Sequence, residues 1–180
     1  MKVIATEIPD ILLLDPRVHA DERGFFMETW RRGALDEHGI DIEFVQDNLS
    51  RSATGVLRGL HYQLRQPQGK LVRVTRGEIF DVAVDLRRKS PSFGQWVGER
   101  LSADDKRALW IPPGFCHGFY VTSGPADVHY KCTAYYAPDD DRCILWNDPE
   151  LGIEWPLRGS PLLSEKDRQA TLFAAAEYYP

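Results

Sequence analysis

The chain has 180 residues, 43% of them hydrophobic and 27% charged, a composition that suits one globular domain with a packed core and excludes a disordered or fibrous chain. Its net charge of −5 supplies no basic field to draw nucleic acid, so a small anion must be caught by a few local arginines or lysines. The apolar run Ile11 to Leu14 is far too short for a membrane span, and Pro9, Asp10 and Asp15 around it spoil a signal-peptide reading.

The first helical signal lies at Trp30 to His38, long enough for two turns. Lys70 to Arg76 then alternates Leu71, Arg73 and Thr75 against Lys70, Val72, Val74 and Arg76, the period of a strand. Gly77 interrupts, and Glu78 to Leu86 puts Phe80, Val82, Val84 and Leu86 on one face with Asp81, Ala83 and Asp85 on the other. Further strands are predicted over Gln95–Leu101, Arg107–Ile111, Phe115–Thr122, Val128–Tyr136 and Arg142–Trp146, separated by proline and glycine turns such as Gly124-Pro125. Ser102 is placed to cap a turn through Lys106, and Ser164 a helix running to about Glu177. The whole pattern predicts a single all-β domain over residues 1–180, a sandwich or barrel with a few short helices, one of them C-terminal. Cys116, Cys132 and Cys143 are odd in number and form no CxxC pair, which argues against a disulfide framework and a thiolate zinc site and fits a reducing cytoplasm.

Four stretches carry candidate chemistry. In Arg58-Gly59-Leu60-His61-Tyr62-Gln63, strand geometry puts His61 and Gln63 on one face, where His61 is either a satisfied interior histidine or a group aimed into a barrel mouth. Lys70 and Arg73 just beyond it read equally as solvated edge charges. Pro112-Pro113-Gly114-Phe115-Cys116-His117 matches the P-x-G-x-x-H half-motif of metal cupins, but the other half-motif, H-x-H, is here His61-Tyr62-Gln63. A metal site then requires His129 or Gln63 as a substitute ligand. Tyr130, Cys132, Ala134 and Tyr136 share a face, two phenols around two small side chains, either a slot for a flat ligand or ordinary core packing. Ser164 and Asp167 stand in capping-box positions, which by itself explains Asp167.

Read together, these segments resemble one family along nearly the whole chain, the dTDP-4-dehydrorhamnose 3,5-epimerases of the cupin superfamily. The matching residues include Asp21-Glu22-Arg23-Gly24-Phe25-Phe26 with Glu28, Phe44-Val45-Gln46-Asp47-Asn48, Leu57-Arg58-Gly59-Leu60-His61, Gln68-Gly69-Lys70, His117-Gly118-Phe119, Tyr130-Lys131, Tyr135-Tyr136 and Lys166-Asp167. The resemblance implies a cupin-type jelly roll that needs no cofactor or metal, binds a dTDP-sugar and inverts carbons 3 and 5 beside a C4 ketone. It makes His61 the base, Asp167 its partner, Lys70 the positive charge near the C4 oxygen and Tyr130 the acid. It assigns ligand contacts to Arg23, Glu28, Gln46, Asn48, Arg58, His117, Asp141 and Lys166, and stacking on thymine to Tyr136. Asp141 stands where the family often has glutamate. The resemblance further implies a cytoplasmic homodimer whose N-terminal segments, with Arg23 and Glu28, reach across to the partner's site. An epimerase acting at one carbon, a non-catalytic sugar-nucleotide binder and a metal cupin are the rival readings.

Overall fold

The computed structural model describes residues Met1–Pro180 and is built mainly of strands. In chain order they are β1 (Lys2–Ala5), β2 (Leu12–Asp15), β3 (Val18–Asp21), β4 (Gly24–Met27), β5 (Gln46–Ser52), β6 (Leu57–Gln63), β7 (Lys70–Asp85), β8 (Trp96–Ser102), β9 (Ala108–Ile111), β10 (Phe115–Cys132) and β11 (Asp141–Cys143). β3 and β4 form a separate hairpin, and the other nine make one antiparallel network. No helix is long and apolar enough to cross a membrane.

Two long strands organise this network, because β7 and β10 pair with each other nearly end to end while their other edges change partners midway. The first part of β7 pairs with β9 and the second with β8; the first part of β10 pairs with β6 and the second with β5. Folded over at these changes, the ribbon becomes two layers, a jelly-roll sandwich as the sequence predicts. The predicted breaks at Gly77 and Gly124-Pro125 are corrected by the structure: both strands run through them and bend there. Gly77 has φ +74°, and a Cβ would lie 2.7 Å from the carbonyl oxygens of Ser123 and Pro125. The β10 register shifts opposite it, between Val121 and Asp127. Extra residues in one strand of a pair bend and twist it without ending the pairing.

Alternation then distributes the apolar side chains into three bodies. Val72, Val74, Ile79, Ala83, Phe119, Val121 and Val128 lie between the layers. Val82, Val84, Leu86 and Cys116 point outward under the C-terminal segment, with Phe173 and Tyr179. Leu12, Leu14, Leu71 and Trp110 point outward on the other layer, covered by Leu35 and Ile42. Each such side chain contributes about 1.5–3 kcal/mol on burial, which is why β7 reads as apolar on both faces.

Both predicted helices are shorter than expected. Trp30–His38 holds only the 3-10 turn Asp36–His38, since Gly33 takes φ +85° and Gly39, its C-cap, φ +70°. Helix α1 spans Glu165–Arg168 and does not run to Glu177. Beyond it Thr171 bridges to Ile144, and the Phe173 N–H donates to Asp148 at 2.8 Å, so tertiary pairing overrides local helical preference.

One close approach positions the site. Gly59 has φ +119°, and a Cβ on it would lie 2.5 Å from Gly118 Cα and 2.8 Å from the His117 carbonyl oxygen. Gly59→Ala should therefore cost about 2 kcal/mol or more in chemical denaturation, because neither backbone can yield. An unchanged midpoint would mean that β6 and β10 separate freely here.

Candidate active site

The backbone register brings the candidate residues together before any side chain is considered. His61 on β6 lies opposite His117 on β10 and, across its other edge, opposite Cys143 on β11. Lys70 pairs with Cys132, and Tyr130 sits between Val72 and Asn48. Because directly opposed residues point to the same face, these side chains converge between the layers. There His61, His117, Lys70, Cys132 and Tyr130 line a cavity of roughly 650 Å³ that also receives Asn48, Arg58, Tyr136, Asp141, Lys166 and Asp167.

His61 Nε2 lies 2.8 Å from Asp167 Oδ1. Asp167 is buried, yet it takes further hydrogen bonds from the Ser164 hydroxyl at 2.6 Å and the Gly59 N–H at 3.2 Å. Burial pushes this carboxyl up, but the bonds from His61, Ser164 and Gly59 outweigh it and hold the pKa at about 2. An ionised Asp167 accepts the Nε2 proton of His61, which leaves the Nδ1 lone pair free, with Asp141 Oδ1 3.9 Å away. That arrangement makes Nδ1 a base with a fixed tautomer. Ser164 also accepts the Asp167 N–H at 3.2 Å, so helix capping and support of the dyad come from the same residues.

Lys70 opens to the cavity but is otherwise enclosed by protein, and desolvation lowers its pKa while neighbouring acidic groups oppose the change. It is not a solvated edge charge, and neither is Arg73, which is buried and bonded to the carbonyls of Thr29 and Lys106. Tyr130 shares a 2.9 Å hydrogen bond with Ser50, and burial pushes its phenol up despite that bond, so it keeps its proton. The cavity thus joins a base, a cation and a neutral acid, the groups needed to make and quench an enolate.

At the rim, Asp141 accepts from the Tyr136 hydroxyl at 3.0 Å and from the Lys166 ammonium. The Arg58 guanidinium donates to Ser52 at 3.0 Å and is otherwise free to meet an anion. The metal-cupin ligand set is not rebuilt: the Gln63 amide is engaged by Gln66, Tyr135 and Ala137 of the neighbouring loops, and His129 points toward Asp47.

The same architecture recurs among known proteins. The sequence profile described as dTDP-4-dehydrorhamnose 3,5-epimerase matches residues 5–175. The chain is 62% identical to an enzyme of that name from Pseudomonas aeruginosa over 100% of both chains. The chain belongs to the dTDP-4-dehydrorhamnose 3,5-epimerase family.

Its fold superposes with a TM-score of 0.95 on a Legionella pneumophila 3,5-epimerase solved with dTDP-4-keto-L-rhamnose, at 52% identity over 98% of this chain and 94% of that one. A 3′-monoepimerase from Streptomyces bikiniensis, solved with dTDP-quinovose, is more distant: TM-score 0.89 and 33% identity over 94% and 87%.

Of the residues that the epimerase resemblance singles out, the structure brings ten into the cavity and leaves three outside. Gln46 is next to it, donating to Asn48 at 2.9 Å and accepting the Tyr136 N–H at 2.9 Å. Arg23 and Glu28 belong to the exposed β3–β4 region, paired with Asp21 and Arg31, and do not line this chain's cavity. Three participants were not singled out from sequence as site residues. Ser50 and Ser164 are too common a residue type to stand out. Asp81, fully buried, receives His117 Nε2 at 2.7 Å while its other oxygen has no partner. Its only signal was a carboxylate in an otherwise apolar run.

Proposed function

We propose that this chain is a 3,5-epimerase that converts dTDP-4-dehydro-6-deoxy-D-glucose to dTDP-4-dehydro-L-rhamnose. The observation that carries the reading is the His61–Asp167 dyad opening into the same cavity as Lys70 and Tyr130. Carbons 3 and 5 both flank the C4 ketone, so each C–H proton can leave to give an enolate. His61 Nδ1 takes that proton, and the C–H electron pair moves onto the C4 oxygen beside the Lys70 ammonium. Tyr130 then delivers a proton to the other face of the carbon, inverting it. Exchange with solvent deprotonates His61 and reprotonates Tyr130 for the second carbon.

Arg58 and Lys166 supply positive charge for the diphosphate, and Tyr136, 54% exposed at the rim, offers a ring face to thymine. Asn48, His117 and Asp141 complete the polar lining, with Gln46 bonded to Asn48 just outside it. The N-terminal hairpin supports a homodimer: Phe25 and Phe26 are 59% and 73% exposed, and Leu49 on the β5 edge is 71% exposed. Arg23 and Glu28 on that side then reach the partner's cavity. The continuous nine-stranded network supports one domain, and three free cysteines support a cytoplasmic setting.

The test is incubation with dTDP-4-dehydro-6-deoxy-D-glucose in deuterated water, followed by NMR. Deuterium at both C3 and C5 is the expected result. Labelling at C3 alone would make it a monoepimerase, and no labelling would leave a binder. Tyr130→Phe should retain exchange on the His61 side while full inversion falls by about a hundredfold or more. An unchanged product profile would remove Tyr130 from the acid role.

A further inference from the structure

The chemistry above leaves one thiol beside the dyad unused. Cys143 is the cross-strand neighbour of His61, and its sulfur lies 3.7 Å from Asp167 Oδ1. One ligand atom from each of His61, Cys143 and Asp167 falls within 4.8 Å of the others. We propose that His61 Nε2, Asp167 Oδ1 and Cys143 Sγ form a capture site for a thiophilic divalent cation such as Zn²⁺, and that its occupancy switches the enzyme off.

The donor set fits that ion. Zn²⁺ takes imidazole nitrogen at about 2.0 Å, carboxylate oxygen at about 2.0 Å and thiolate at about 2.3 Å, in tetrahedral order. Ligand atoms on such a tetrahedron are roughly 3.2–3.6 Å apart. The observed 2.8 Å between His61 and Asp167 and 3.7 Å between Asp167 and Cys143 bracket this spacing. The third pair, His61 and Cys143, starts within 4.8 Å and must close to the same spacing. Three protein ligands leave the fourth position for water or a ligand oxygen from the cavity. The set shares His61 with a metal-cupin site but uses Asp167 and Cys143 in place of Gln63 and His117.

The proton balance explains the inhibition. The Cys143 thiol loses its proton to solvent when sulfur binds the cation. His61 Nε2 must give up its proton to expose a lone pair, and the neutral ring then carries its proton on Nδ1. Nδ1 is the atom that abstracts the substrate proton, so the metal-bound histidine has no free base. The inhibitory half of this inference rests on His61 acting as that base; the binding half does not.

The experiment uses the full-length, reduced and chelator-stripped protein, titrated with Co²⁺ as a spectroscopic stand-in and then with Zn²⁺. The expected result is one Co²⁺ per chain with thiolate-to-cobalt charge-transfer absorbance, displaced by Zn²⁺. Turnover should fall in step with Zn²⁺ occupancy and return with chelator. Cys143→Ser should lose the absorbance and bind at least about a hundredfold more weakly, more than is typical for a group outside the coordination shell. Cys116 and Cys132 remain in that variant as internal controls, and retained binding of thymidine diphosphate shows an intact cavity. A thiolate band that persists in Cys143→Ser, equal Zn²⁺ inhibition of both proteins, or no metal binding would each overturn the proposal. Cys143-dependent binding by a protein with no epimerase activity would uphold the binding site, overturn its inhibitory role and sink the functional reading.

Discussion

Replacing His61 with alanine is expected to stop deuterium entry at C3 and at C5 alike, lowering kcat by about a hundredfold to ten-thousandfold. The size follows from the geometry: His61, held by Asp167, is the accessible histidine of the cavity, whereas His117 is buried against Asp81. Thymidine diphosphate should still bind, since Arg58, Lys166 and Tyr136 lie on other parts of the lining. The assays are NMR exchange for the chemistry and calorimetry for the nucleotide. Loss of exchange and nucleotide binding together would show His61 to be a structural histidine that holds β6 against β10.

Lys70→Met is expected to lower kcat by about a hundredfold to a thousandfold with a smaller change in KM, because the ammonium matters most when the C4 oxygen carries charge. Methionine keeps most of the side-chain volume, so the lost term is the charge. The pH profile provides a second readout. Burial lowers the Lys70 pKa below its ordinary value of 10.5, and neighbouring acidic groups offset only part of this. The wild-type enzyme should therefore lose activity on the alkaline side before an ordinary lysine deprotonates, as the cation becomes a neutral amine. Lys70→Met should lack that limb. A variant whose KM rises while kcat holds would give Lys70 a binding role only.

Much of the site was legible because strand geometry is periodic. The alternation placed Lys70 with Val72 and Val74, His61 with Gln63, and His117 with Phe119 and Val121, and in the structure each set shares one inward face. The same rule misjudged Val128–Tyr136, since β10 ends at Cys132 and the chain past it turns across the cavity mouth. Gly77 and Gly124-Pro125 were read as ends because a bulge and a turn use the same residue types. Which one forms depends on whether a partner strand continues alongside, and here β7 and β10 supply each other. The C-terminal helix failed for a related reason: a capped start was visible in Ser164, but nothing local announced that Thr171 would bridge to Ile144.

The sequence by itself determined the strand period, the all-β class and, through its resemblance to a family, the residues proposed as base, cation and acid. Those features reside in nearest-neighbour chemistry and in the order of residues along the chain. Only the tertiary structure decided the pairings: Asp167 with His61, Tyr130 with Ser50, Asp81 with His117 and Cys143 beside the dyad. Each joins residues far apart in the chain: strand register brings the strand residues together, while Asp167 arrives on helix α1. A carboxylate in a sequence has no direction; Asp167 acquires one because Ser164, Gly59 and His61 converge on it from separate elements.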